Sequence, residues 1–153
     1  LDFVREIIEQ AAIVYNSKKS GILELGGGVP KNTAQQTGPL LDQILRKDHG
    51  GQNYIIQITD ARPDTGGLSG ATLQEGKSWG KVKDSHEDLI TVYTDSTIAF
   101  PILALYALSN EESREQKRIY KKLGNYYNTL QESANKVPDK FADILKKSNI
   151  NLD

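Results

Sequence analysis

Three short apolar runs set the limits on what this chain can fold into. They are "ILEL" at 22–25, "YIIQIT" at 54–59 and "LITVYT" at 89–94, and they recur at intervals of about thirty to thirty-five residues. Each is too short for a buried helix and is bounded by Gly, Asp or Ser, so each reads as a strand. Helical patterns fill the intervals. An antiparallel partner can be reached through a two-residue turn, whereas a parallel partner needs a long, usually helical, crossover. The chain therefore predicts an α/β fold, a parallel sheet with helices on both faces.

The flanking segments fit that plan. Apolar residues at 3, 4, 7, 8, 11, 14 and 15 mark one face of an N-terminal helix, stopped by Gly21. Residues 33–47 read as a helix interrupted at Gly38-Pro39, and a short helix is expected around 72–77. "DSTIAFPILALYALS" predicts a strongly apolar, buried helix capped by Asp95 or Ser96. Residues 1–110 read as the sheet-bearing domain. Residues 111–153 are charged and read as a peripheral or partner-contacting helical tail, two modest helices broken near Val137-Pro138.

In such sheets ligands sit beyond the carboxyl ends of the strands. The segments that leave those ends are "GGGVPKN", "DARPDTGGLSG" and "DSTIAF", and they are expected to share one rim. Composition narrows what the rim can do. With 19 basic and 20 acidic residues, no net charge draws the chain to nucleic acid or an anionic membrane. The absence of Cys removes disulfides and thiolate chemistry, and His49 and His86 lack the spacing of a helical metal pair, so no metal is expected. No apolar run approaches a membrane span and no signal pattern opens the chain, which leads to the expectation of a soluble, cytoplasmic protein. The chain has no Met, so Leu1 is read as the start of a fragment or processed product.

Several rim residues carry chemical meaning. Gly26, Gly27 and Gly28 permit close backbone approach to a phosphate, although a tight turn explains them as simply. They form neither the dinucleotide fingerprint nor a P-loop. Asp60 and Asp95 end strands, where a carboxylate can accept from a ribose hydroxyl or hold an amine; capping alone also accounts for Asp95. A metal held by Asp60, Asp64 and Asp95 has no spacing that demands it.

The segment "EGKSWGKV" holds the only Trp, Trp79, between Ser78 and Gly80, with Glu75, Lys77 and Lys81 close by. An aromatic wall disfavours an ammonium by desolvation, and a neutral lysine can attack an imine or carbonyl. Trp79 is placed to be the wall and Lys81 the nucleophile; the alternative is a snorkelling surface lysine. Lys31, Lys77 and Lys83 read as ordinary surface lysines, with Lys31 in reach of an anion at the glycines. Glu75 is either an amine-binding group or an exposed helix carboxylate. Asn32 is either a cap or a substrate contact.

"LGGGVPKN", then "GGLSGAT" followed by "EGKSWGKV", then "VYTDSTIAFPIL" together resemble the deoxyhypusine synthase family, in its order and spacing, over about residues 1 to 110. "GGGVPKN…QQT…LLDQIL" is similar to its bacterial deoxyhypusine synthase-like branch. The resemblance implies a Rossmann-like sheet and NAD as cofactor. It implies oxidation of spermidine, transfer of its aminobutyl group to an enzyme lysine as an imine, and delivery to an acceptor amine with reduction by the retained NADH. The acceptor is a lysine of translation factor 5A in deoxyhypusine synthases and putrescine in homospermidine synthases. Lys81 matches the covalent lysine. Trp79 and Glu75, with Asn32, Gly66 and Gly67, fall on the polyamine side. Gly27, Gly28, Asp60, Ala61, Asp95 and Ser96 fall on the NAD side. Eukaryotic members have His where Asn32 stands, acidic residues at Thr65 and Leu68, and Thr at Asp60.

The resemblance further implies that this chain corresponds to the C-terminal half of the enzyme. It leads to the expectation of a separate or clipped N-terminal half and of a homo- or hetero-oligomer, tetrameric in the family. Two other functions stay open at this point: a polyamine-forming enzyme with a free diamine acceptor, and a non-catalytic supporting subunit.

Overall fold

The computed structural model describes residues 2–67, 70–82, 89–112 and 115–134. Helix α1 (Phe3–Tyr15) begins where the Asp2 carboxylate accepts from the Arg5 amide, which satisfies one of the free donors of the first turn. It ends at Asn16, ahead of Gly21, because the Asn16 side chain donates back to the Ala12 carbonyl and across to that of Tyr126. Gly21 instead opens the first strand.

The three apolar runs are strands: β1 (Gly21–Leu25), β2 (Tyr54–Thr59) and β3 (Leu89–Tyr93). They pair in parallel in the order β1-β2-β3, with Glu24 opposite Gln57 and Gln57 opposite Thr91. Between β1 and β2 the chain forms α2 (Val29–Gln35), a single turn α3 (Thr37–Pro39) and a π-helical turn at Leu40–Ile44. The helix expected over 33–47 is thus three pieces that start earlier. Pro30 lies in the first turn of α2, where its missing amide costs nothing. Between β2 and β3 lie a 3₁₀ turn (Pro63–Thr65) and α4 (Leu73–Ser78), whose first turn is capped by Thr72.

Side chains alternate across the sheet, and the two faces differ. On one, Ile22 and Leu89 pack with Ile55, Leu73 and Val82, and Glu24 meets α2 through Gln35. On the other, Leu23, Leu25, Ile90 and Val92 stand exposed. Helix α5 (Ser96–Asn110) touches β2. Asp95 caps it as expected, accepting from the Thr97 amide. The expected burial of α5 does not hold: none of its residues is buried, and Ile98, Ile102, Leu105, Tyr106 and Leu108 are exposed. The sequence made α5 apolar all round, and no layer of the described residues covers its outer side.

After a 3₁₀ turn (Ile119–Lys121), helix α6 (Leu123–Ala134) packs along α1. Leu130 is buried with Ala11, Ala12, Val14 and Leu41, and the Tyr15 hydroxyl bonds to Ser133. That part of the expected peripheral tail belongs to the core. Residues 135–153, with the expected break at Val137-Pro138, lie outside the described residues. Among the described residues, no helix is long and apolar enough to cross a membrane, and no three His, Asp or Glu side chains gather into a metal-binding group.

Candidate active site

The carboxyl ends of the strands do form a shared rim. The Gly26 amide donates to the Ile58 carbonyl and the Thr94 amide to that of Thr59, so pairing continues past the strand ends and the three loops leave side by side. Gly26 and Gly28 have φ of 81° and 89°, the left-handed region that turns the chain from β1 into α2 at little cost for glycine. Gly26, Gly27, Pro30 and Lys31 line a cavity of about 190 Å³ with Glu24 and Ala34.

Lys81 follows α4 and is half-buried. Its Nζ donates to Asn32 Oδ1 at 3.4 Å. The Asn32 amide nitrogen donates to the Gly28 carbonyl at 2.9 Å, which orients the side chain with its oxygen toward the lysine. Two residues singled out from distant parts of the sequence therefore meet, at a site reached from the triple glycine through Asn32.

The backbone at Lys81 is set by close approach of two glycines. A Cβ on Gly38 would stand 2.6 Å from the Gly80 carbonyl oxygen, and one on Gly51 would stand 2.6 Å from the Lys81 carbonyl carbon. The Gln52 amide donates to the Lys81 carbonyl, and the Lys81 amide to that of Gly76. Trp79 is 65% exposed. Its carbonyl accepts from the Gln43 side chain. Among the described residues the hydrogen-bond partner of the Lys81 amine is Asn32. Glu75 is exposed on α4.

The other rim residues are more open. Asp60 is exposed at the end of β2, and the Ala61 amide donates to Thr59 Oγ1. Asp95 Oδ1 accepts from both the amide and the hydroxyl of Thr97, bonds that hold its carboxyl below the ordinary range; Ser96 begins α5 beside it. Gly66 and Gly67 are exposed, and a side-chain carbon on either would meet nothing within 4 Å. Thr65 closes the 3₁₀ turn through its hydroxyl bond to the Arg62 carbonyl, while Leu68 and Lys83 lie outside the described residues.

Beneath the rim lies a polar group that sequence reasoning missed. Glu24 is only 5% exposed; Oε1 accepts from Gln35 Nε2, and among the described residues Oε2 has no partner. Lys31, expected at the surface, is likewise 5% exposed, and its Nζ donates to the Ala71 carbonyl at 2.8 Å. Burial pushes the Glu24 carboxyl up, while the Gln35 bond and the charges of Lys31 and Lys81 pull it back. Burial pushes the Lys31 amine down; Glu24 opposes this, Lys81 adds to it, and Glu75 opposes it weakly. One signal was available: Glu24 is the lone acid in an apolar strand, and Lys31 and Gln35 are four apart on the short helix that covers it.

These features define an α/β protein that gathers a lysine-centred polar site at the carboxyl rim of a parallel sheet. Residues 1–107 match the family model for deoxyhypusine synthase. The chain belongs to the deoxyhypusine synthase family. It is similar to a deoxyhypusine synthase-like protein of Nostoc punctiforme, at 49% identity over 128 residues covering 80% of this chain and 33% of the relative. One from Thermosynechococcus vestitus is 45% identical over 140 residues, 86% of this chain and 35% of the relative. The "Probable deoxyhypusine synthase 2" of Methanosarcina acetivorans is 43% identical over 119 residues, 78% of this chain and 33% of the relative. The chain thus matches about a third of the length of these relatives, rather than the half expected from its motifs.

Proposed function

We propose that this chain carries the covalent lysine of an NAD-dependent aminobutyl transfer of the deoxyhypusine synthase type. Lys81 is the nucleophile. As a neutral amine it adds to the imine carbon of oxidised spermidine, the remaining diamine leaves, and the aminobutyl group stays on Lys81 as an imine. An acceptor amine then displaces Lys81, and reduction of the new imine completes the transfer. The observation that carries this reading is the bond from Lys81 Nζ to Asn32 Oδ1 at the sheet's carboxyl rim, in a chain of this family.

The amide oxygen of Asn32 can orient the amine but cannot take its proton near neutral pH. Asn32 therefore directs the lone pair of Lys81, and the proton leaves to another base or to water. Glu75 and Trp79, both exposed on the segment that leads to Lys81, are assigned to the polyamine, one by charge and one by its ring face.

The rim residues fit NAD. A Cβ on Gly26 would meet only open space, which leaves room for a ligand against the turn. Gly27, Gly28, Asp60, Ala61, Asp95 and Ser96 are the residues assigned to hold it, and once bound it supplies the hydride acceptor and later the donor. The cavity of about 190 Å³ is smaller than the roughly 300–1,000 Å³ of ordinary ligand sites. This chain is therefore assigned one wall of the cofactor site.

The other wall is assigned to further polypeptide. The outer strands of the face on which α5 packs, with Leu23, Leu25, Ile90 and Val92 exposed, and the exposed apolar side of α5 are what a chain leaves open when its covering layer lies elsewhere. We assign that layer to the part of the enzyme that the relatives carry and this sequence lacks, within an oligomer. A stable monomer of the 153 residues in solution overturns that assignment.

The transfer itself is tested by trapping. The complete assembly is incubated with NAD and spermidine, then treated with borohydride and digested for peptide mass spectrometry. The expected result is an aminobutyl mass on Lys81. Binding of NAD and polyamine without any adduct overturns the covalent role. Offering putrescine or translation factor 5A as acceptor separates the two kinds of transfer.

A further inference from the structure

Adjacent residues of α2 hold opposite ends of one segment. Lys31 donates to the carbonyl of Ala71, just ahead of α4, and Asn32 accepts from the amine of Lys81, just after it. Between those two bonds lie Glu75 and Trp79. A buried ammonium is costly unless a charge of opposite sign is near, and Glu24 on β1 is the buried carboxyl of that region, itself fixed by Gln35. Gln35 thus ties α2 to β1 through Glu24, Lys31 ties α2 to Ala71 just ahead of α4, and the Glu24 carboxylate acts on Lys31 through its charge.

We propose that Lys31, with Glu24 as its buried counter-charge, is a positioning residue that fixes segment 71–81 against α2 and so sets where the Lys81 amine stands. The proposal rests on the reading of Lys81 as the covalent residue. The backbone at the end of the segment is held by the Gln52 and Gln43 bonds to the carbonyls of Lys81 and Trp79; the Lys31 tie to Ala71 fixes its start. A nucleophile displaced by about 1 Å loses on the order of a hundredfold in rate, so the tie acts on transfer without touching the substrate. Lys31 also explains its own burial: at the surface it would have no reason to reach under the rim.

The test uses the complete assembly and three variants, Lys31→Met, Glu24→Gln and the double variant. Thermal unfolding, hydrogen exchange and the borohydride adduct on Lys81 are measured for each. Lys31→Met is expected to unfold at lower temperature, because it leaves the Ala71 carbonyl without its donor and the Glu24 carboxylate without a nearby opposite charge; Glu24→Gln, which holds that side chain uncharged, is expected to unfold no lower than the parent near neutral pH, and the double variant is expected to recover most of what Lys31→Met loses. In the double variant, exchange at the amides of Gly76, Gly80 and Lys81 is expected to rise about tenfold while α1 is unchanged, reporting local release. The adduct rate is expected to stay about a hundredfold below the parent although stability has returned. Recovery of both exchange protection and adduct in the double variant overturns the proposal, since Lys31 would then be only half of a structural pair. Equal loss of protection everywhere also overturns it. If the parent itself forms no adduct, the covalent reading has failed, and local release at residues 76–81 in the double variant still decides the positioning role.

Discussion

Gly38 lies directly beneath Gly80: a Cβ on Gly38 would stand 2.6 Å from the Gly80 carbonyl oxygen and 3.1 Å from the Gly51 Cα. No real Cβ tolerates the first contact, and all of the atoms facing it are backbone. Gly38→Ala must therefore push residues 80–81 outward. The expected cost is about 1–3 kcal/mol of stability, the usual range for overpacking. Loss of the Lys81 adduct should exceed what the unfolded fraction explains. Denaturant unfolding beside borohydride trapping reads both. An alanine variant with parental stability would mean that this close approach is not maintained in solution.

The amine of Lys81 and the side chain of Asn32 give a second prediction. Lys81→Arg keeps the positive charge but cannot form an imine, so turnover should vanish while NAD binding survives. Asn32→Asp keeps the shape and sets a carboxylate against the amine. An anion there favours the ammonium, so the rising limb of the pH–rate profile should move to higher pH. Rates of both variants across pH, with NAD affinity measured separately, check this. An unchanged profile for Asn32→Asp removes Asn32 from contact with Lys81.

Much of this was readable beforehand because it rests on local pattern. "YIIQIT" is β2 residue for residue, and the thirty-residue rhythm did mean parallel pairing. The shared rim of loops followed from that topology; the bond between Asn32 and Lys81 did not, because Asn32 reads from the sequence only as a cap or a substrate contact. Burial was the illegible part. The apolar character of α5 predicts an inside helix, and among the described residues none of its side chains is buried, because periodicity reports how apolar a face is and not what lies against it. Lys31 failed in the opposite sense: a lysine after a glycine turn reads as surface, and only the placement of α2 over Glu24 puts it under the rim. Gly38 read as a helix breaker. Its second role, making room for Gly80, depends on a contact with residues far along the chain.

Glu24 makes stability depend on pH in a definite direction. Burial raises its folded value above the ordinary 4.5, so between those two values the native protein keeps a proton that the unfolded chain has lost. Stability is then greatest below 4.5 and falls as pH rises through the folded value. Lys31 is lowered from 10.5, so its own contribution rises with pH and lies on the alkaline side. Glu24→Gln should flatten the decline on the acid side and leave the alkaline limb in place. Denaturant midpoints for parent and variant, from about pH 4 to about pH 10, read the difference. A constant gap between the two curves would mean that Glu24 titrates alike in both states.

Trp79 separates function from stability. Its side chain is 65% exposed, so Trp79→Ala should change folding stability by no more than about 0.5 kcal/mol. If its ring faces the polyamine, the same variant should raise the KM for spermidine by about tenfold, with Trp79→Phe intermediate, because cation–π attraction is strongest for indole and weaker for phenyl. The chain has only one Trp, so its fluorescence reports this position alone. Emission should lie near that of a water-exposed indole in the isolated chain and move to shorter wavelength when the covering polypeptide binds, then again with polyamine. A blue shift on assembly with no further response to polyamine would assign Trp79 to the interface and leave Glu75 as the amine-binding group on this segment. No shift in either step would leave Trp79 in solvent throughout and remove the aromatic wall from the site.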